Sequence, residues 1–189
     1  MDRRILKTQK AIIGAFIQLL AEKEFEDITI NEIADRADVS RGTVYLHYID
    51  KFDLLDKCID IYFKKLFESC MTLNGTTLLL SKSFMIRTFE YLEEHAFIYT
   101  TLLVNKGIPT FRNLMMDVIL GNLSEVIDAS SIKRDINKEV TLQFLASAIV
   151  GLLEWWIIKS IPIPAKDIAE QLWSLLERFQ VIPHLPDSN

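Results

Sequence analysis

Thr29-Ile30-Asn31-Glu32-Ile33-Ala34-Asp35-Arg36-Ala37-Asp38-Val39-Ser40-Arg41-Gly42-Thr43-Val44-Tyr45 contains two helix starts eleven residues apart. Thr29 and Glu32 have capping-box spacing, in which each side chain satisfies the other's backbone N–H, and Ile28 with Ile33 stands where a hydrophobic staple closes the same start. Ser40 repeats the device ahead of Arg41, with Val39 and Val44 as the staple pair, and Asp50 repeats it with Ile49 and Leu54. Helix starts are therefore predicted near residues 29, 40 and 50. Helix, short turn, helix at this spacing is a helix-turn-helix, and Ala34 is small enough for the two helices to cross closely.

Upstream, Ile5, Ile12, Phe16, Leu19 and Leu20 recur near the helical period and predict a first helix over about 2–22. Helices this close together share one small core, with Phe16, Leu20, Phe25, Ile30, Ile33, Val44 and Leu54 among its members. The run Thr72-Leu73-Asn74-Gly75-Thr76-Thr77 is rich in cap and turn residues and marks the candidate boundary. Beyond it Asn105-Lys106-Gly107, Pro109, the polar run 130–137 and Ile161-Pro162-Ile163-Pro164 divide an apolar chain into helices near 80–95, 96–104, 110–129, 136–160 and 165–180. The expected fold is all-α with about nine helices: a helix-turn-helix module over 1–57, a connecting helix over about 51–71, and a larger helical bundle over 72–189.

Composition agrees. The 189 residues are 50% hydrophobic and 25% charged, with six glycines and five prolines, which suits long helices better than a turn-dense sandwich or barrel. Cys58 and Cys70 have no Cys/His cluster near them, so no disulfide framework or metal site is expected, and a reducing, cytoplasmic setting is. The first twenty residues have the period of a mature helix and lack a cleavage pattern. No nucleophile–base pair or glycine-rich phosphate loop is present, so neither an enzyme nor a cofactor is expected.

The chemistry concentrates at the turn. Arg41 has the donor fork for guanine, Thr43 a methyl for thymine, and Gly42 lets backbone come close to a base edge. Thr29, Ser40, Tyr45, His47 and Lys51 are suited to phosphate oxygens, and the helix starts add backbone N–H groups. The net charge of −5 gives no bulk attraction to a polyanion. Residues 1–57 hold nine Lys/Arg against eleven Asp/Glu, but Arg3, Arg4, Lys7 and Lys10 cluster at the start, so the basic face is local.

Phe144–Ile158 is 15 residues long and apolar but for Ser147 and Glu154, short of the roughly 20 a membrane span wants, so no membrane partner is expected. A helix apolar nearly all round packs on more than one side. Ala146, Ser147, Ala148 and Gly151 allow close approach, and a final helix carries Ile168, Leu172, Trp173, Leu175, Leu176 and Phe179. Helices 136–160 and 165–180 are thus expected to form a homodimer interface. Phe84, Phe89, Phe97, Phe111, Met115, Phe144, Trp155 and Trp156 are candidates to line a pocket for a small apolar or aromatic effector; each also fits an ordinary core. Glu154 fits either a cationic effector or the rim of the dimer interface.

The run Val39-Ser40-Arg41-Gly42-Thr43-Val44-Tyr45-Leu46-His47-Tyr48-Ile49-Asp50-Lys51-Phe52-Asp53-Leu54-Leu55 resembles the signature of the TetR family of bacterial transcriptional regulators. The likeness covers about residues 8–57. It implies a dimer whose three N-terminal helices enter the major groove of an operator, with a ligand-binding bundle behind them. Arg41, Gly42, Thr43 and Asn31 would meet bases, and Thr29, Ser40, Tyr45, His47 and Lys51 phosphates. The implied function is a repressor released from a palindromic operator by its effector; the alternative is a protein-binding coactivator of the same fold. Two departures stand out. Asp38 occupies a position where the family usually has Gly, and Asp tolerates left-handed backbone better than most residues. Tyr48 replaces the commoner Phe, and its hydroxyl is expected to reach solvent or a phosphate.

Overall fold

The computed structural model describes residues 3–70, 81–129 and 137–178, and these residues form nine α-helices and no strand. They are α1 (Arg3–Glu22), α2 (Ile30–Arg36), α3 (Arg41–Tyr45), α4 (Lys51–Cys70), α5 (Lys82–Glu94), α6 (Ala96–Leu102), α7 (Ile108–Ala129), α8 (Lys138–Ile158) and α9 (Ala165–Arg178). A 3₁₀ turn, Phe25–Asp27, links α1 to α2, and a π-helical turn, Leu103–Gly107, links α6 to α7. The candidate boundary 72–77, most of the polar run 130–137, and Phe179 lie outside the described residues.

All three expected caps form. The Thr29 hydroxyl accepts from the Glu32 N–H at 3.3 Å, and the Glu32 carboxylate accepts from the Thr29 N–H at 2.9 Å. Ser40 Oγ accepts from the Thr43 N–H at 3.1 Å, and Asp50 Oδ1 accepts from the N–H groups of Phe52 and Asp53. Ser81 and Asn137 cap α5 and α8 in the same way. Of the three staples, Ile28 with Ile33 is fully buried and Val39 with Val44 largely so, but the third does not form. Leu54 is buried while Ile49 is 79% exposed. The cause is local: Asp53 Oδ2 accepts from the Ile49 N–H at 2.9 Å and sets the chain direction there, leaving the Ile49 side chain outward.

Packing divides the chain into two compact units that are each discontinuous in sequence. The first takes Met1–Lys64 together with Phe97–Phe111. Its core holds Phe16, Leu20, Phe25, Ile33, Val44 and Leu54 as expected, with Ile30 only half-buried. The later segment is pinned into it by polar contacts. Tyr99 donates to the Tyr62 carbonyl at 2.8 Å, Asn105 Nδ2 to the Leu20 carbonyl at 3.1 Å, and Thr110 to Asp56 at 2.6 Å. The ring of Phe111 meets Phe63 edge-on at 6.3 Å.

The second unit is Lys65–Ala96 with Arg112–Asn189. Here α9 lies along α5, and Trp156, fully buried, meets Phe89 edge-on at 5.0 Å. The α8–α9 corner holds two successive left-handed residues, Ser160 (φ 56°) and Ile161 (φ 57°). For a β-branched residue this conformation is costly. It is held by the Ile161 N–H on the Trp156 carbonyl at 2.9 Å and by Trp156 Nε1 on the Ile163 carbonyl at 2.7 Å.

The α8 helix is longer than the apolar run within it. An 18-residue window of its 21 residues reaches a mean hydropathy of 1.6, so by length and composition alone the helix is long enough to cross a membrane, unlike the 15-residue run Phe144–Ile158 taken by itself. It packs within the second unit, where 44% of that window is buried.

Candidate functional site

The turn between α2 and α3 is built by Asp38, whose backbone is left-handed at φ 53° as the sequence anticipated. The reversal lets the Val39 N–H reach back to the Ala34 carbonyl at 3.0 Å, and Ala34, with almost no exposure, gives the close crossing. The α3 helix then presents Ser40, Arg41, Gly42 and Tyr45 to solvent, with Thr43 and His47 half-buried. Thr29 and Asn31 are exposed at the start of α2.

The exposed groups pair by helical spacing. Arg41 and Tyr45, four apart, stack: the guanidinium carbon lies 5.4 Å from the ring centroid, and an Nη donates to the phenol oxygen at 3.3 Å. Gly42 and Leu46 form the next pair, joined by the Leu46 N–H to the Gly42 carbonyl at 3.0 Å. Thr43 Oγ1 lies 2.8 Å from Ser40 Oγ, so its polar end is engaged within α3.

Lys51 does something other than expected. Its ammonium donates to the carbonyls of Phe25, Glu26 and Ile28 at 2.9, 2.7 and 3.0 Å, and it lies 4.8 Å from the Phe25 ring centroid. An ammonium has three protons, and all three are used here, on the Phe25 carbonyl, which also accepts the Ile28 N–H, and on the carbonyls of Glu26 and Ile28. No donor remains for a phosphate. Tyr48 is corrected as well: its side chain is buried, and that burial pushes the phenol pKa up to about 12.

The charges behind this face neutralise one another. Lys23 pairs with Glu32, Arg36 with Glu22 and Lys57 with Asp53. Lys23 and the Thr29 N–H together hold the Glu32 carboxyl down to about 2. Arg3, Arg4, Lys7 and Lys10 are exposed along the start of α1.

In the second unit Phe84, Met85, Phe89, Met115, Ile149 and Leu153, with Thr88, line a cavity of about 60 Å³. The Thr88 hydroxyl donates to the Phe84 carbonyl at 2.9 Å, so the lining is effectively apolar. Of the pocket candidates, Phe84, Phe89 and Met115 are at this cavity. Phe144 and Trp155 instead stand on the outer face of α8, 60% and 41% exposed, and Trp156 is core. Phe97 and Phe111 belong to the first unit, Phe97 exposed and Phe111 buried on Phe63. An all-apolar helix has no period from which to read its inward face, which is why these orientations were not legible. Glu154 faces neither solvent nor that cavity's lining. It is 5% exposed, pairs with Arg112 through Oε2, and keeps Oε1 buried without a hydrogen-bond partner; burial raises its pKa while Arg112 opposes the rise.

Two family profiles match the chain. "Bacterial regulatory proteins, tetR family" covers residues 12–58, and "Transcriptional regulator C-terminal region", the TetR_C_8 group, covers 81–178, more than half of the chain. The chain belongs to the TetR family. Among similar proteins, YxbF of Bacillus subtilis (strain 168), an HTH-type transcriptional regulator, is 25% identical over 171 residues, 87% of this chain and 43% of that protein. The chain spans less than half the length of the curated relatives it matches. A TetR transcriptional regulator from Streptococcus agalactiae 2603V superposes with a TM-score of 0.71 at 27% identity, over 93% of this chain and 96% of that one. FadR from Bacillus subtilis, solved in complex with stearoyl-CoA, superposes with a TM-score of 0.62 at 18% identity, over 88% and 96%.

Proposed function

We propose that this TetR-family chain is a dimeric DNA-binding transcriptional regulator, cytoplasmic, that leaves its operator when a small apolar effector binds the second unit. The observation that carries the reading is α3: capped by Ser40, turned by Asp38, and offering Arg41, Gly42 and Tyr45 outward. In this reading Arg41, Gly42, Thr43 and Asn31 meet base edges in the major groove. Ser40, Tyr45 and His47 hold phosphates, and the α1 cations add the electrostatic attraction. The Thr29 hydroxyl and N–H both donate to the Glu32 carboxylate at 2.9 Å and leave Thr29 without a donor for that set. Lys51 is left out of the phosphate set, because its three donors are already taken.

Dimerisation is supported by the outer face of α8, where Val140, Phe144, Ala148, Gly151, Trp155 and Ile158 recur at intervals of three or four and are exposed or half-buried. Small residues at the middle of that stripe admit a close crossing by a second copy. Two recognition helices about 34–36 Å apart then fit successive turns of a palindromic operator.

The effector part rests on the apolar cavity in the second unit. At about 60 Å³ it is far below the roughly 300 Å³ of ordinary ligand sites, so an effector must widen it, and flexible Met85 and Met115 are the side chains suited to yield. FadR, whose structure holds an acyl-CoA, has the same fold. A state opened by ligand and a state that fits DNA are then two populations of one molecule, which is how release arises.

Selection of duplexes from random DNA, followed by gel shift, tests the reading. Arg41→Ala should weaken the selected operator by about 5- to 150-fold and relax base preference at one position. Failure of the native protein to form any salt-sensitive complex would favour a coactivator acting through a partner protein.

A further inference from the structure

One exposed feature of α3 is not used by the polar reading of the interface. Leu46 is 82% exposed, the most exposed large apolar side chain among the described residues. It is not a loop residue adrift, because its backbone is still right-handed helical (φ −69°, ψ −21°) and its N–H closes on the Gly42 carbonyl. The side chain therefore keeps the register of α3, four residues from Gly42 and three from Thr43. A helical side chain leans toward the N-terminus of its helix, which places Leu46 over the turn that begins at Gly42. Gly42 has no side chain to cover it.

The faces of α3 thus differ in chemistry. One carries the stacked Arg41–Tyr45 pair. The other consists of Gly42, the methyl-bearing Thr43 with its hydroxyl engaged on Ser40, and the isobutyl group of Leu46. On that second face the Thr43 hydroxyl, bonded to Ser40, is the one side-chain polar group, and the rest is apolar. In the major groove every base edge is polar except for one group, the C5-methyl of thymine.

Resting on the proposed DNA-binding role, we propose that Leu46 is a specificity-determining residue that, beside Thr43 and across the bare backbone of Gly42, packs on a thymine methyl in each operator half-site. The neighbouring Arg41 reads a guanine on the other side of α3. The surface is continuous with the residues proposed to meet bases, and an apolar ridge of this size facing polar base edges without a methyl would lose hydration for nothing.

The test compares the full-length protein and Leu46→Ala on the selected operator, with each half-site thymine replaced in turn by deoxyuridine, which removes only the methyl. The substituted side chain is on the surface, and a thermal melt confirms that the variant folds as the native chain does. At one thymine per half-site, methyl removal should weaken native binding by about fourfold for each methyl buried. In the Leu46→Ala variant the loss at that thymine should be clearly smaller, since only Thr43 remains beside the methyl. A methyl effect equal in both proteins, no sensitive thymine, or an operator with no thymine within reach of α3 overturns the inference while DNA binding stands. If no duplex is bound at all, the DNA-binding reading itself fails.

Discussion

Glu154 is the residue whose ionisation matters most to the second unit. It is held in an apolar helix, one carboxylate oxygen faces Arg112, and the other has no partner. Its pKa is raised, chiefly by burial, so the folded state holds the proton more tightly than the unfolded chain does. A carboxyl shifted in that direction contributes stability below its unfolded pKa, near 4.5, and loses it as pH rises through the folded value. Glu154→Gln keeps the shape and removes the charge. Thermal melts should show the variant gaining stability on the native chain as pH rises from about 4.5 through the raised folded value, with that gain absent below about pH 4.5. A native chain that gains on the variant as pH rises would mean that Arg112 more than compensates the burial. Asp38 is the opposite kind of residue. Its left-handed backbone was anticipated from a sequence departure alone, because the turn chemistry is local and needs no knowledge of what packs against it.

At the scale of elements, caps were legible and contacts between elements were not. Thr29, Ser40 and Asp50 each mark a helix start within a residue, since a cap is a bond between near neighbours in sequence. The Ile49–Leu54 staple has the right spacing and still fails, because Asp53 binds the Ile49 N–H and fixes the entry direction first. Lys51 was misread for a related reason: its acceptors lie 23 to 26 residues upstream, and nothing in the local pattern points to them. The consequence is measurable. Lys51→Met, which preserves the alkyl stem over Phe25, should lower stability in denaturant titration by about 1–3 kcal/mol through the loss of its hydrogen bonds to the carbonyls of Phe25, Glu26 and Ile28. Operator binding at permissive temperature should keep its salt slope. A slope reduced by about one at unchanged stability would return Lys51 to the phosphate contacts.

For the molecule as a whole, the proposed dimer rests on the outer stripe of α8. Phe144 and Trp155 were read from sequence as pocket residues, and only the fold shows that they stand outside it. The buried side of α8, with Leu145, Ile149, Leu153, Trp156 and Ile157, is as apolar as the exposed side, so no contrast in the sequence separates them. Phe144→Glu should convert a species of twice 21.8 kDa into one of 21.8 kDa in sedimentation equilibrium, and should cost the operator affinity that two half-sites confer. A variant that sediments as the native protein does would place the interface elsewhere.

The return of Phe97–Phe111 to the first unit bears on how such regulators can be recombined. A fragment cut at the end of α4 would lose the phenol on the Tyr62 carbonyl, the amide on the Leu20 carbonyl and the ring against Phe63. The first unit is not a detachable part with its seam after α4: a chimera that exchanges the second unit has to carry residues 97–111 along with the first, or supply a donor segment with the same three anchors.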